Sequence, residues 1–124
     1  MGGVLRDPAI LDFTLSPRER EVVAEFARRS RDHFGPRLVR VLLYGSRARG
    51  DVDEDSDIDV LVVLRGEPTN DDIDWCFAAS GDLVAAGDEY TDLMPRPIAA
   101  SLLDDLVRRE RRFGLEVVEQ GIEL

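Results

Sequence analysis

The sequence predicts an α/β domain in which a small mixed β-sheet is flanked by helices. Two short apolar runs, Leu38–Tyr44 and Ile58–Leu64, are typical of buried strands. Segments with apolar residues at helical spacing precede and follow these runs, and this alternation favours an α/β architecture. The chain has 124 residues, a length typical of one domain, so we expect a single domain over residues 1–124.

A helix is predicted before the first strand. Residues 1–15 show no clear periodicity and predict an irregular lead-in. Ser16 and Glu19 mark a helix start, because a serine cap is followed by proline in the first turn and by glutamate three residues after the cap. Apolar residues then recur at helical spacing as far as Phe34, and a Gly-Pro pair ends the helix.

More helices and a third strand are predicted after the second strand. Residues 70–86 have helical spacing, with Asn70 as the cap. Residues 89–94 predict a strand that is closed by Pro95 and Pro97, because proline cannot donate to a β-ladder. The remaining predicted elements are helices over residues 101–113 and 115–119.

The composition is that of a globular protein. Apolar residues make up 44% of the chain and charged residues 34%. The longest apolar runs, such as residues 60–64, are far too short to cross a bilayer, and the amino terminus lacks the features of a signal peptide. A single cysteine, Cys76, cannot form an internal disulfide. We therefore expect a cytoplasmic protein without a membrane partner.

The charge is unevenly distributed along the chain. The net charge of −10 argues against direct binding of nucleic acid, which would be repelled. Residues 16–49 contain nine arginines and four acids, whereas residues 50–107 contain sixteen acids and two arginines. This division predicts an anion bound at the first segment and cations at the second. The alternative for most of the acids is a solvated acidic surface.

A glycine–serine turn follows the first strand. Gly45 and Ser46 leave the strand and open a short polar segment that we expect to be helical. Glycine lets the backbone approach a ligand closely, and free amides at a helix start suit phosphate oxygens. Arg47 and Arg49 follow in the same turn, where their guanidinium groups would neutralise a polyphosphate. The segment therefore predicts a phosphate-binding turn, although similar turns are also common without a ligand.

Two aspartates stand at the start of the second strand. Asp57 and Asp59 are two residues apart, so their side chains point to the same face. Carboxylates held this close repel each other unless a cation lies between them, and Mg²⁺ prefers such oxygen ligands and bridges substrate phosphates. Two such ions stabilise the attacking and leaving oxygens of a displacement at phosphorus. The turn, the aspartate pair and the apolar strand together predict a metal-assisted displacement at phosphorus.

The run GSRARGDVDEDSDIDVLVVL, residues 45–64, closely resembles the signature of the DNA polymerase β-like nucleotidyltransferase superfamily, in which GSxxxG is followed by DxD. Its form and the chain length are most similar to the minimal nucleotidyltransferase branch. The resemblance implies the polymerase β-like palm fold. It also implies that Gly45 and Ser46 hold the triphosphate, that Asp57 and Asp59 bind two Mg²⁺ ions, and that Arg49 contacts a phosphate.

A third carboxylate on a later strand is implied by the same resemblance. Asp92 is the best match, because an apolar pair follows it within the predicted strand. We therefore expect Asp92 to complete the catalytic and metal-binding set. Asp88 and Glu89 are the alternatives, which the pattern puts in the preceding turn. A register shift of one residue would turn Asp92 to the opposite face of the sheet.

Minimal nucleotidyltransferases are paired with HEPN-domain ribonuclease toxins, so the resemblance implies an antitoxin that transfers AMP from ATP to a tyrosine of such a toxin. The chain devotes nearly all its residues to the nucleotidyltransferase core, which favours a partner protein that brings the acceptor. One alternative is a catalytically silent antitoxin that masks its partner. Another is transfer to a small molecule such as an antibiotic. Both homo- and hetero-oligomers are compatible with the sequence.

Overall fold

The computed structural model describes residues 8–49, 57–86 and 92–124 of the protein. Short 3₁₀ turns, Pro8–Ile10 and Gly35–Arg37, precede the first helix and the first strand. The elements in chain order are α1 (Leu11–Thr14), α2 (Pro17–Phe34), β1 (Leu38–Tyr44), α3 (Ser46–Arg49), β2 (Ile58–Leu64), α4 (Asn70–Ala85), β3 (Leu93–Ala99), α5 (Ala100–Arg108), α6 (Arg112–Gln120) and β4 (Ile122–Glu123).

The four strands form one mixed sheet in the order β3-β2-β1-β4. Strand β1 pairs antiparallel with both β2 and β4, whereas β2 pairs parallel with β3. The β1–β2 register sets Tyr44 opposite Asp59, and the β2–β3 register sets Ile58 opposite Leu93. The predicted fold class, a small mixed sheet flanked by helices, is confirmed.

Two hydrophobic clusters lie on opposite faces of the sheet, because successive strand residues point to opposite sides. On one face, Val60 packs in a cluster with Phe26 of α2, and α1 and α4 contribute to the same cluster. On the other face, Leu61 packs with Leu103 of α5 and Val117 of α6. Full burial of such side chains contributes roughly 1.5–3 kcal/mol each to stability. Strand β2 is therefore held rigidly between two helical layers.

Both long helices begin with a capping box. The Ser16 hydroxyl accepts a 3.1 Å hydrogen bond from the Glu19 amide, and Glu19 accepts a 2.8 Å bond from the Ser16 amide, as predicted. Helix α4 is capped by Thr69 and Asp72, one residue before the predicted cap. Asp72 is 4% exposed and accepts hydrogen bonds of 3.1 and 2.6 Å from Arg37. This bidentate pair ties α4 to the segment that leads into β1.

Strand β3 differs from its prediction. It runs from Leu93 to Ala99 and includes Pro95 and Pro97, which were expected to close it. Residues 89–91 of the predicted strand lie outside the described residues. The prediction that proline ends this strand was wrong.

The position of β3 at the edge of the sheet explains the tolerance for two prolines. The Ile58 amide donates to the Asp92 carbonyl at 2.8 Å, and a parallel ladder then directs every second residue from Asp92 onward toward β2. Pro95 and Pro97 are the intervening residues, so their nitrogens face away from β2. No ladder hydrogen bond is lost at either proline.

Two other segments also differ from their predictions. The predicted helix over residues 101–113 is divided into α5 and α6, with Glu110 at a φ of 53° in the break. The described part of the predicted irregular lead-in is helical, since residues 8–14 form a 3₁₀ turn and α1; residues 1–7 lie outside the described residues. None of the helices in the described ranges combines the length and the apolar character needed to span a membrane.

Candidate functional site

Gly45 forms the turn between β1 and α3, and Asp59 lies directly against it. The φ of Gly45 is 80°, in the left-handed region that favours glycine. A Cβ atom at this position would overlap Asp59 Oδ2 and lie 3.2 Å from Asp59 Cγ. Glycine is therefore required both by the backbone and by the close approach of the carboxylate. Ser46 begins α3, and its side chain lies outside the described part of the structure.

The carboxylates of Asp57, Asp59 and Asp92 lie on one face at the start of two parallel strands. Asp57 and Asp92 immediately precede the paired residues Ile58 and Leu93, and their side chains share a hydrogen bond. Asp59 is two residues after Asp57 and therefore points to the same side of the sheet. The parallel pairing of β2 with β3 thus brings Asp92 beside two carboxylates that are distant from it in the sequence.

The electrostatics of these carboxylates show an excess of negative charge. The pKa of Asp57 is raised by its hydrogen bond with Asp92, then by burial and by the negative charges of Asp92 and Asp59. Burial raises the pKa of Asp59, and the negative charge of Glu116 raises it further, whereas Arg49 opposes both effects. A bound cation would relieve this repulsion.

Arg49 and Glu116 form an ion pair beside Asp59. Arg49 Nη1 lies 2.8 Å from Glu116 Oε1, and each side chain is about one third exposed (38% and 33%). Helix α6 supplies Glu116, while α3 supplies Arg49. The pair therefore sets one cation and one further anion at the margin of the carboxylate cluster.

Arg47, which was predicted to bind phosphate, is buried against α1 and α2. Its side chain is 3% exposed, and its Nη1 atom donates 3.0 Å hydrogen bonds to the Thr14 carbonyl and to both carboxylate oxygens of Glu19. Glu19 also completes the capping box of α2. These contacts fit a structural role that joins α3 to α1 and α2, and the phosphate contact of Arg47 stays a prediction.

Arg96 and two aromatic residues form a second cluster on the same face of the sheet. The Arg96 guanidinium carbon lies 5.0 Å from the centre of the Phe113 ring. Phe113 packs edge-on against Tyr44 with ring centres 5.7 Å apart. The positive charge of Arg96 also lies near the Tyr44 side chain. Burial raises the pKa of Tyr44, as does the nearby Asp59 charge, whereas Arg96 lowers it. Tyr44 therefore connects Arg96 to the carboxylates.

A surface cavity of about 590 Å³ adjoins Arg49 and Glu116 between α3 and α6. Its volume is within the range of roughly 300–1,000 Å³ that is usual for small-molecule sites. The residues that line it are Arg49, Glu110, Arg112, Leu115, Glu116, Glu119 and Gln120.

Sequence reasoning missed Glu116 and Arg96 as members of this region. Glu116 lies in a short amphipathic helix with no motif that relates it to the aspartates. Arg96 did carry a signal, because it is one of only two arginines among residues 50–107. Both reach the region through packing between elements that are far apart in the sequence.

Comparison with known proteins identifies a family for most of the chain. A family model described as a nucleotidyltransferase domain matches residues 23–118. Two proteins of Methanocaldococcus jannaschii, named as candidate protein adenylyltransferases, are 45% identical over 49 residues and 40% identical over 45 residues. The alignments cover 40% and 36% of this chain, and 50% and 45% of the relatives. The chain thus spans about half the length of the curated relatives it matches.

Two solved structures were also compared. A crystal structure of a candidate nucleotidyltransferase from Sulfolobus solfataricus aligns with a TM-score of 0.49 at 21% identity, over 99% of this chain and 89% of that chain. A crystal structure of a toxin–antitoxin with AMP-PNP aligns with a TM-score of 0.47 at 24% identity, over 83% and 69% of the two chains.

Proposed function

This chain belongs to the nucleotidyltransferase domain family, and from that membership we propose that it transfers AMP from ATP to a hydroxyl group of a partner protein. The observation that carries the proposal is the gathering of Asp57, Asp59 and Asp92 on one face beside the Gly45 turn. Two observations support this use of the face: the repulsion among the carboxylates and the cavity next to Arg49.

The three aspartates would hold Mg²⁺ together with the substrate. Their oxygen atoms are the ligands that Mg²⁺ prefers, and the pKa is raised at Asp57 chiefly by its contact with Asp92 and at Asp59 chiefly by burial, effects that a bound cation would offset. In the described ranges, no group of three or more His, Cys, Asp or Glu side chains is gathered as a metal site. The aspartates would share the cation with the triphosphate, because Mg²⁺ is usually completed by phosphate and water oxygens. Bound ions would stabilise charge on the attacking and leaving oxygens.

The nucleotide would occupy the β1–α3 side of the face. Gly45 lets the triphosphate approach the backbone, Ser46 begins the helix beside it, and Arg49 supplies a cation. We expect the nucleoside to extend into the cavity that Arg49 and Glu116 line. Arg49 would then exchange or share its contact with Glu116 when phosphate binds.

The acceptor would approach from the β3 side, because β2 separates β3 from the nucleotide turn. Asp92 is the carboxylate nearest that side, so we assign it the role of accepting the proton of the attacking hydroxyl. The hydroxyl oxygen forms a bond to the α-phosphorus, and the bond from that phosphorus to the bridging oxygen breaks. Pyrophosphate leaves with the electron pair, and AMP stays on the acceptor.

A protein acceptor is supported by the names of the relatives, which describe them as candidate protein adenylyltransferases. The resemblance of residues 45–64 to minimal nucleotidyltransferases further supports an antitoxin that modifies a tyrosine of a HEPN-type toxin. The alternative is an antitoxin that neutralises the toxin by masking alone.

The proposal is tested by incubating the protein with Mg²⁺, ATP labelled at the α-phosphate and a HEPN-type toxin. We expect label on a toxin tyrosine and a toxin that stays inactive after separation. The Asp57→Asn/Asp59→Asn variant should bind the toxin without labelling it. Asp74→Asn/Asp82→Asn, which changes two exposed acids of α4, is the matched control and should label normally. Equal protection of cells by the Asp57→Asn/Asp59→Asn variant and the parent would favour masking.

A further inference from the structure

Arg96 is an unusual cation because of its surroundings in the sequence. Residues 50–107 contain sixteen acids and two arginines, Arg65 and Arg96. Arg65 has a structural contact, since its Nε atom donates a 2.9 Å hydrogen bond to the Pro36 carbonyl. Arg96 is exposed and, within the described residues, forms no ion pair with a carboxylate.

The register of β3 sets Arg96 on the same face as the three aspartates. Asp92, Met94 and Arg96 follow one another at intervals of two residues, so their side chains share one side of the sheet. Met94 is opposite Asp59 and is 41% exposed, while Arg96 is opposite Leu61. Arg96 therefore lies about 7 Å along the strand from the level of Asp59.

The guanidinium of Arg96 is held in place by aromatic groups rather than by an acid. It lies 5.0 Å from the centre of the Phe113 ring and near the Tyr44 side chain. These contacts fix the orientation of a planar cation and leave other N–H groups for a ligand. A guanidinium held in this way is suited to a carboxylate, which it can bind through two hydrogen bonds.

The position of Arg96 favours the acceptor rather than the nucleotide. The Arg96 backbone lies on β3, across β2 from the Gly45 turn, while its guanidinium extends to Phe113 of α6. Arg49 already supplies a cation on the nucleotide side. In an extended acceptor segment, residues two positions apart lie on one side and about 7 Å apart. The distance between two such acceptor residues therefore equals the distance of about 7 Å along β3 between the Arg96 backbone and the level of Asp59.

We propose that Arg96 is a specificity residue that binds an acidic side chain of the acceptor protein two residues from the hydroxyl that receives AMP. The inference rests on the proposed function, because it requires an acceptor polypeptide on the β3 side. Met94, exposed between Asp92 and Arg96, gives the segment an apolar contact.

The test uses three peptides of one sequence, in which a tyrosine is flanked at two residues' distance by glutamate, glutamine or lysine. The parent protein should modify the glutamate peptide about ten-fold more efficiently than the glutamine peptide, as expected when the charged contact contributes about 1.4 kcal/mol. Arg96→Gln should remove this preference, Arg96→Lys should retain part of it, and Arg96→Glu should favour the lysine peptide. Arg65→Gln, the matched control, should behave as the parent does.

ATP binding distinguishes this role from a contact with the triphosphate. The affinity for ATP should be the same in Arg96→Gln and the parent. A weaker affinity, or equal peptide preferences in the two proteins, would overturn the inference. If the parent modifies none of the peptides and no toxin, the proposed function fails and the inference fails with it.

Discussion

Asp57 and Asp92 share a hydrogen bond at the point where β2 and β3 begin side by side. The contact with Asp92, burial and the negative charges of Asp92 and Asp59 all raise the pKa of Asp57. The face of the sheet is therefore prepared for positive charge before any substrate binds.

Replacing Asp92 with asparagine should lower the activity without lowering the stability of the fold. Because the folded-state pKa of Asp57 is raised, the ionised pair destabilises the fold at neutral pH, and this penalty disappears as the pH falls through the raised value. Asp92→Asn should therefore leave the melting temperature in EDTA unchanged or about 2–5 °C higher. Turnover should fall by about 100-fold or more. The exposed-site variant Asp74→Asn should change neither quantity, and a clearly lower melting temperature for Asp92→Asn would contradict the expected repulsion.

Gly45→Ala should damage the site through Asp59, and Gly66 provides the control. Both glycines have a φ near 80° (80° and 83°), but a Cβ atom at Gly66 meets nothing within 4 Å. Alanine should therefore cost about 1–2 kcal/mol of unfolding free energy at either position because of the left-handed backbone. Only Gly45→Ala should also displace the Asp59 carboxylate and abolish transfer. Chemical denaturation and transfer assays of the two variants measure this difference, and similar activities would show that Asp59 moves aside without consequence.

Replacing the two arginines of α3 should have different effects: the Arg47 variant should lose stability, and the Arg49 variant should lose affinity for ATP. Arg47→Ala leaves Glu19 without its buried partner, so we expect a loss of about 3–5 kcal/mol of unfolding free energy. Arg49→Ala should cost under about 1 kcal/mol, since its pair with Glu116 is partly exposed, but it should weaken ATP binding. Urea denaturation and ATP titration check both expectations. Weaker ATP binding by an otherwise stable Arg47→Ala protein would restore the phosphate role for Arg47.

The Arg37–Asp72 pair should give an acid-dependent contribution to stability. Hydrogen bonds from Arg37 lower the pKa of Asp72 from 3.8 to about 2, although burial opposes this. Because the folded-state pKa is lowered, the contribution is fully present above the ordinary value and is lost as the pH falls through about 2. Asp72→Asn should cost about 2 kcal/mol at pH 7. The difference from the parent, followed by urea denaturation, should shrink between pH 4 and pH 2; a constant difference would show that packing, not charge, is lost.

The central hairpin of the fold was predictable from local sequence, whereas the edge of the sheet was not. Strands β1 and β2 have the predicted bounds, because their apolar runs are buried within the sheet. The course of β3 through Pro95 and Pro97 depends on its being an edge strand, and no local pattern contains that information. Sequence reasoning about proline holds for central strands and fails here for that reason.

The candidate site was predictable only where the local spacing of residues decides the geometry. The common direction of Asp57 and Asp59 follows from their spacing alone, but the approach of Asp92 depends on the parallel pairing of β2 with β3. Arg47 and Arg49 are indistinguishable by motif, and tertiary partners decide that one is buried and the other faces Asp59. The catalytic roles of these residues stay predictions until the variants are measured.

The two prolines of β3 also limit how this molecule can associate with others. The outer rim of that strand presents the carbonyl groups of Pro95 and Pro97 but no amide hydrogen at either residue. A second strand laid along it would leave its own acceptors unmatched, which disfavours fibril-like stacking of copies and sheet extension by a foreign segment. Recognition of another protein on this side therefore depends more on its side chains than on strand pairing.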